Sequence, residues 1–162
     1  MIVVSDSSPL ISLARIGELE ILRCLYGEIL IPQAVWDEIV VEGEGRPGAD
    51  EVRGSGWIRC EPVSNLHLAR ILRRELGAGE AEAIALAVER NADLLIIDER
   101  LGREVASYLG LNVIGVIGIL VEAKHKGIIR SVKVYLDKLR ELAGFRISDA
   151  LYNRVLRDEG EL

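Results

Sequence analysis

The chain has 162 residues, 49% of them hydrophobic, and a formal net charge of −6 from 20 basic and 26 acidic residues. That length suits one domain with a sizeable core. No apolar stretch reaches the roughly 18 residues that a membrane-crossing helix needs, two cysteines make no disulfide scaffold, and the acidic balance argues against a general nucleic-acid coat.

Ile2–Ser5 reads as the first strand. Met1 leads straight into it with no basic segment, so a cytoplasmic location is expected. Ser7-Ser8-Pro9 opens a helix through about Arg15, because serine caps well and proline tolerates the first turn. Glu18–Tyr26 is a second helix, Glu28–Ile31 a strand, and Pro32 starts a helix over Gln33–Val41. Residues 42–50 carry three glycines and a proline and read as an exposed, mobile loop. Trp57–Cys60 is a short strand. Asn65 caps a helix to about Leu76, Gly77-Ala78-Gly79 breaks it, and Glu80–Arg90 forms the next. Asp93–Ile97 is a strand, Glu99–Tyr108 a helix, and Asn112–Val116 the last strand. Three helices follow, near Ile117–Lys126, Ser131–Ala143 and Ser148–Arg157, with Ser131 and Ser148 as N-caps. Strands alternating with helices give an α/β fold with a mostly parallel sheet. No linker divides the chain, so residues 1–162 read as one domain with a C-terminal helical extension from about 117.

Two buried strands end in carboxylates, at Asp6 and Asp98. In open α/β sheets, function collects beyond the carboxyl ends of the strands. Each carboxylate is also explained as a cap or dipole partner of the next helix. Helix geometry adds two acids. On the helix after Pro32, Val35, Trp36, Ile39 and Val40 span roughly 140° at about 100° per residue. Glu38 falls on the border of that arc and Asp37 opposite it. In the segment from Gly79 to Ala85, Glu80 shares the packed face with Ile84, whereas Glu82 points roughly 200° away. Glu80 is therefore preferred and Glu82 held in reserve. Each of these acids is equally at home as a plain surface or first-turn glutamate.

Oxygen ligands are what Mg2+ or Mn2+ prefers. Clustered carboxylates repel one another, and a divalent ion relieves that repulsion while activating water against a phosphodiester. Arg103, just past Asp98, is a candidate for gripping a substrate phosphate, as is Arg100 nearby; a salt bridge to Glu99 or Glu104 is the plainer role. Residues 121–146 hold seven bases against three acids, a flank suited to a polyanion. The cysteines are expected as buried thiols, and His67 and His125 as surface residues.

Four stretches carry a family resemblance: Val3-Val4-Ser5-Asp6-Ser7-Ser8-Pro9, Pro32-Gln33-Ala34-Val35-Trp36-Asp37-Glu38-Ile39, Leu76 through Ala87, and Leu94 through Arg103. Together they resemble the PIN-domain family, the fold of VapC-type toxins and related metal-dependent ribonucleases. The resemblance implies a three-layer α/β/α fold and a Mg2+ or Mn2+ site held by Asp6, Glu38, Glu80 and Asp98, with Ser7 supporting it. It also implies endoribonuclease activity on RNA, an antitoxin partner if the protein is a toxin, and a homodimer. Departures are Glu80 where many toxins carry aspartate, Ile96 where many carry threonine or serine, and longer C-terminal helices. Two other readings compete. One is a non-catalytic PIN-like module binding RNA or protein. The other is a phosphotransfer site on a flavodoxin-like sheet, which lacks a second aspartate beside Asp6. The Gly43–Gly48 match to GxGxxG follows a helix rather than a strand and is set aside.

Overall fold

Val3 and Val4 are both buried, yet they serve two different cores. The computed structural model describes every residue from Met1 to Leu162. It contains strands β1 Val3–Ser5, β2 Ile29–Ile31, β3 Ile58–Cys60, β4 Leu94–Ile96 and β5 Val113–Ile114. All four pairings are parallel, in the order β3-β2-β1-β4-β5. Val4 sits opposite Leu30 on one side and Leu95 on the other. Successive side chains alternate between faces: Val3, Ile29, Ile31 and Ile96 enter the larger core, and Val4, Leu30, Leu95 and Ile97 the smaller. Burial on both faces is why these strands are continuous apolar runs rather than alternating ones.

Ten α-helices cover the sheet: α1 Ser7–Arg15, α2 Glu20–Tyr26, α3 Gln33–Trp36, α4 Ala49–Gly54, α5 Leu66–Leu72, α6 Ala78–Glu89, α7 Arg100–Tyr108, α8 Val116–His125, α9 Val132–Leu142 and α10 Asp149–Asp158. The larger core takes residues from α1, α2, α3, α4, α8, α9 and α10, with Ile39 and Val40; the smaller takes them from α6 and α7. The fold is therefore three-layered, α/β/α. Val116, Ile119, Leu136, Leu139 and Leu156 pack in the same core as Val3 and Ile29, so the C-terminal helices are part of it.

Ser131 and Ser148 do cap α9 and α10, accepting from the Val134 and Leu151 amides. A further clamp holds this end. The Glu161 carboxylate accepts from the Val132 and Lys133 amides and from Ser131 Oγ, and pairs with Lys124 at 2.8 Å. Burial opposes its ionisation, but the bonds from Lys124, Lys133, Ser131 and Val132 prevail and hold the group at about 2.

Three local expectations are corrected. The 42–50 segment is not wholly loop: Gly48, at φ +103°, turns the chain into α4, where its N–H donates to Glu51 at 2.5 Å. Only glycine adopts that φ freely. The helix after Pro32 changes pitch at Asp37, and residues Asp37–Val41 form a π-helical turn in which the Glu42 amide donates to the Asp37 carbonyl at 2.7 Å. Cys24 and Cys60 are free but exposed.

The strand order runs outward in one direction from β1 and in the other from β4. The crevice beyond the carboxyl ends of these two central strands is where such sheets place a ligand.

Candidate functional site

Asp6 and Asp98 leave neighbouring strands at that crevice. The Asp6 amide donates to the Ile96 carbonyl at 2.9 Å, tying the two strand ends together. Asp6 precedes α1, yet its side chain makes no capping bond. It is only 4% exposed. Burial pushes its carboxyl up to about 7; the Ser7 N–H opposes this, and the carboxylates of Glu80, Glu38 and Asp98 add repulsion. The acids singled out in the sequence thus surround one buried carboxyl.

Asp98 does not serve the helix that follows it. Its Oδ1 accepts from the Val116 amide at 2.9 Å, at the start of α8, while its Oδ2 is buried with no hydrogen-bond partner. Burial raises its pKa, the Val116 bond and the Arg103 guanidinium lower it, and Glu99 raises it again. An unsatisfied buried acceptor costs about 1–3 kcal/mol, more when charged, and calls for an explanation.

Glu38 projects from the π turn, a distortion that recurs at functional sites. Its Oε2 accepts from Ser7 Oγ at 2.5 Å and its Oε1 from the Gly79 amide at 3.0 Å. Glu80, one residue on, is half-buried; burial raises its pKa, and Glu99 and Glu38 add to the rise.

Three glycines make room for these carboxylates. A methyl group on Gly79 would stand 2.7 Å from Glu38 Oε1, one on Gly102 2.7 Å from Glu80 Oε2, and one on Gly115 2.5 Å from Asp98 Oδ1. Each acid is seated against bare backbone from a different element. Sequence reasoning missed these glycines, although Gly79 and Gly102 stand within two or three residues of acids in the stretches it used. It also missed Glu99 as a fifth acid. A cleft of about 180 Å³ is walled only by polar residues and glycines, including Asp6, Glu38, Glu80 and Glu99.

The remaining candidates are placed otherwise. Glu82, outside the acidic cleft, accepts from the Ala34 amide at 3.0 Å and ties α6 to the first turn of α3. Arg100 pairs with Glu104 at the surface. Arg103 donates to the Ile97 carbonyl at 3.0 Å and borders Asp98.

The donor set is all oxygen, which suits a hard divalent cation. Three carboxyls with raised pKa values and the orphaned Asp98 Oδ2 are what such an ion would relieve. No three Asp, Glu, His or Cys side chains are placed to hold an ion by themselves. An ion at this set would therefore have to keep several waters, since the side chains form no all-protein cage.

The DUF3368 family model, described as a PIN domain, matches residues 2–161. No curated protein matches the chain. Among solved structures, a PilT N-terminus domain protein, SSO1118, from the hyperthermophilic archaeon Sulfolobus solfataricus P2 is similar, with a TM-score of 0.53 and 22% identity over 76% of this chain and 93% of that one. At that identity the likeness speaks for the fold alone.

Proposed function

Because the chain belongs to the PIN-domain family, we propose that it is a divalent-metal-dependent endoribonuclease whose site is built on Asp6, Glu38, Glu80 and Asp98. The observation that carries this reading is Asp98 Oδ2, a buried acceptor without a partner beside a carboxyl that burial and its neighbours keep near 7. Asp6 and Asp98 would hold Mg2+ or Mn2+ most directly. Glu38 and Glu80 would reach it through water. The bound ion supplies an activated water and neutralises charge on the phosphodiester.

The chain's own groups set the geometry. Ser7 and the Gly79 amide fix Glu38 in one rotamer. The Val116 amide fixes Asp98 and leaves one oxygen directed away from that bond. Arg103, braced on the Ile97 carbonyl, offsets part of the negative charge at Asp98. A role as a VapC-like toxin, paired with an antitoxin or with itself, is compatible with this chemistry.

Asp6→Asn and Asp98→Asn should each abolish Mn2+-dependent cleavage of RNA while circular dichroism and melting remain those of a folded protein. Undiminished cleavage in both variants would overturn the reading. A second reading, a non-catalytic module that binds RNA or protein, draws support from the spacing of the acids, which by themselves place no three ligands on one ion. Calorimetric titration separates the two: a nuclease site takes up Mn2+, whereas a pure binding module does not.

A further inference from the structure

The basic segment near the C-terminus is mostly spent on its own acids. Lys124 pairs with Glu161, Lys126 with Glu122, Lys133 with Asp137 and Arg140 with Asp149. Lys138 lies over the Tyr135 ring. Charge counting along the sequence therefore overstates what this flank offers a polyanion.

Four guanidiniums of this end, Arg130, Arg146, Arg154 and Arg157, are exposed and form no ion pair or side-chain hydrogen bond within the chain. Arg146, before α10, and Arg154, within it, are the two set in a groove. Both line a groove of about 630 Å³ that opens at Asp98 and Glu99 and runs past Gly115 to α10. Asp98 belongs to this groove, and Glu99 borders both it and the acidic cleft, so the two are neighbours. Ile117, Phe145 and Leu151 give the groove an apolar lining. Phe145 is the only phenylalanine of the chain and is half-buried.

We propose that this groove seats the nucleotides of a single-stranded RNA next to the phosphate held at the acidic cleft. Arg146 and Arg154 contact successive phosphates, and the apolar lining receives an unpaired base. The inference rests on the ribonuclease reading for the identity of the strand. The chemistry matches feature by feature. A strand carries phosphates at regular intervals, which suits two unpaired cations. It carries bases between them, which suit an aromatic and aliphatic surface. A duplex would keep its bases stacked and out of reach. The two arginines come from the C-terminal extension and face the same groove as Arg100 and Arg103.

The test is fluorescence anisotropy with a labelled twelve-uridine RNA in EDTA, across a salt series. The wild-type protein is compared with Arg146→Ala/Arg154→Ala and with Arg157→Ala, an arginine of α10 outside the groove. The double variant should bind about tenfold more weakly. Its slope of log affinity against log salt should shrink by about 1.4, or about 0.7 for each phosphate no longer neutralised. Arg157→Ala should leave both unchanged. Equal affinity and slope in the double variant, absence of RNA binding by the wild type, or duplex RNA binding as tightly as the single strand would each overturn the proposal. Cleavage in Mn2+ separates this failure from that of the wider reading. Binding through the two arginines without cleavage sinks the nuclease and leaves the groove; cleavage untouched by the double variant sinks the groove and leaves the nuclease.

Discussion

Replacing Asp6 with asparagine should reverse the order of stability of variant and wild type between acid and alkaline pH in the absence of metal. The ordinary carboxyl value is 3.8, and in the folded protein Asp6 keeps its proton up to about 7. Between those values the folded chain binds a proton that the unfolded chain has released. Stability linked to Asp6 is therefore whole below pH 3.8, declines as pH rises, and is lost once pH passes 7. The gap corresponds to about 4 kcal/mol. The amide keeps the shape and removes the charge, but its buried N–H2 group lacks a carboxyl's way of shedding a proton and costs about 1–3 kcal/mol if unpartnered. The variant should thus be less stable than wild type by about 1–3 kcal/mol near pH 4 and more stable by a similar amount at pH 8. Urea unfolding followed by circular dichroism in EDTA, at intervals from about pH 4 to 8, reads the difference. A difference that stays constant with pH would refute the reasoning. Mn2+ at pH 8 should stabilise the wild type and leave the variant almost unmoved, because only a ligand that binds the folded state shifts the balance.

Gly79→Ala should destabilise the protein by about 1–3 kcal/mol, since displacing the Glu38 carboxylate and its two bonds outweighs the roughly 1 kcal/mol that alanine gains in a helix. Gly54→Ala, where the added methyl meets nothing within 4 Å, should not destabilise it, and thermal melts of both give the comparison. Glu161→Gln should cost about 1–2 kcal/mol at pH 7, allowing for solvent screening. Because the folded value is depressed from 4.5 to about 2, the wild type should lose that contribution as pH falls through this window while the variant loses nothing further, which acid titration of the urea midpoint reads directly.

Strands β1, β2 and β4 were legible because they are buried on both faces and so appear as apolar runs, whereas β3 exposes Arg59 and Cys60 and was marked only by its short length between turns. The serine caps of α9 and α10 were legible because a cap acts within three residues of itself. Contacts across elements were not. A wheel drawn for one helix turns Glu82 away from the face of Glu80 but does not show that α3 packs on α6 there and gives it the Ala34 amide. Asp98 bonds an amide 18 residues on, beyond an intervening helix and strand. The π turn at Asp37–Val41 breaks the regular angular step on which the placement of Glu38 was reckoned, although that residue still reaches the site. Helix α4 was hidden because six residues are too few to show a period and glycines precede them. The glycines at 79, 102 and 115 could have been read as close approaches only once their carboxylate partners were known.

The pairing of β1 with β4 has a kinetic side. Asp6 meets Asp98 only when strands separated by the whole of β2, β3 and α1 to α6 zip together. Long-range parallel pairing of this kind must overcome loop closure before it gains any contact. As the chain emerges from synthesis, Asp6 appears early and waits through more than half the sequence for its neighbour. The acid cluster is therefore completed late: Ser7 and Gly79 can hold Glu38 beside Asp6 and Glu80, but Asp98 joins them only with the central strand pair.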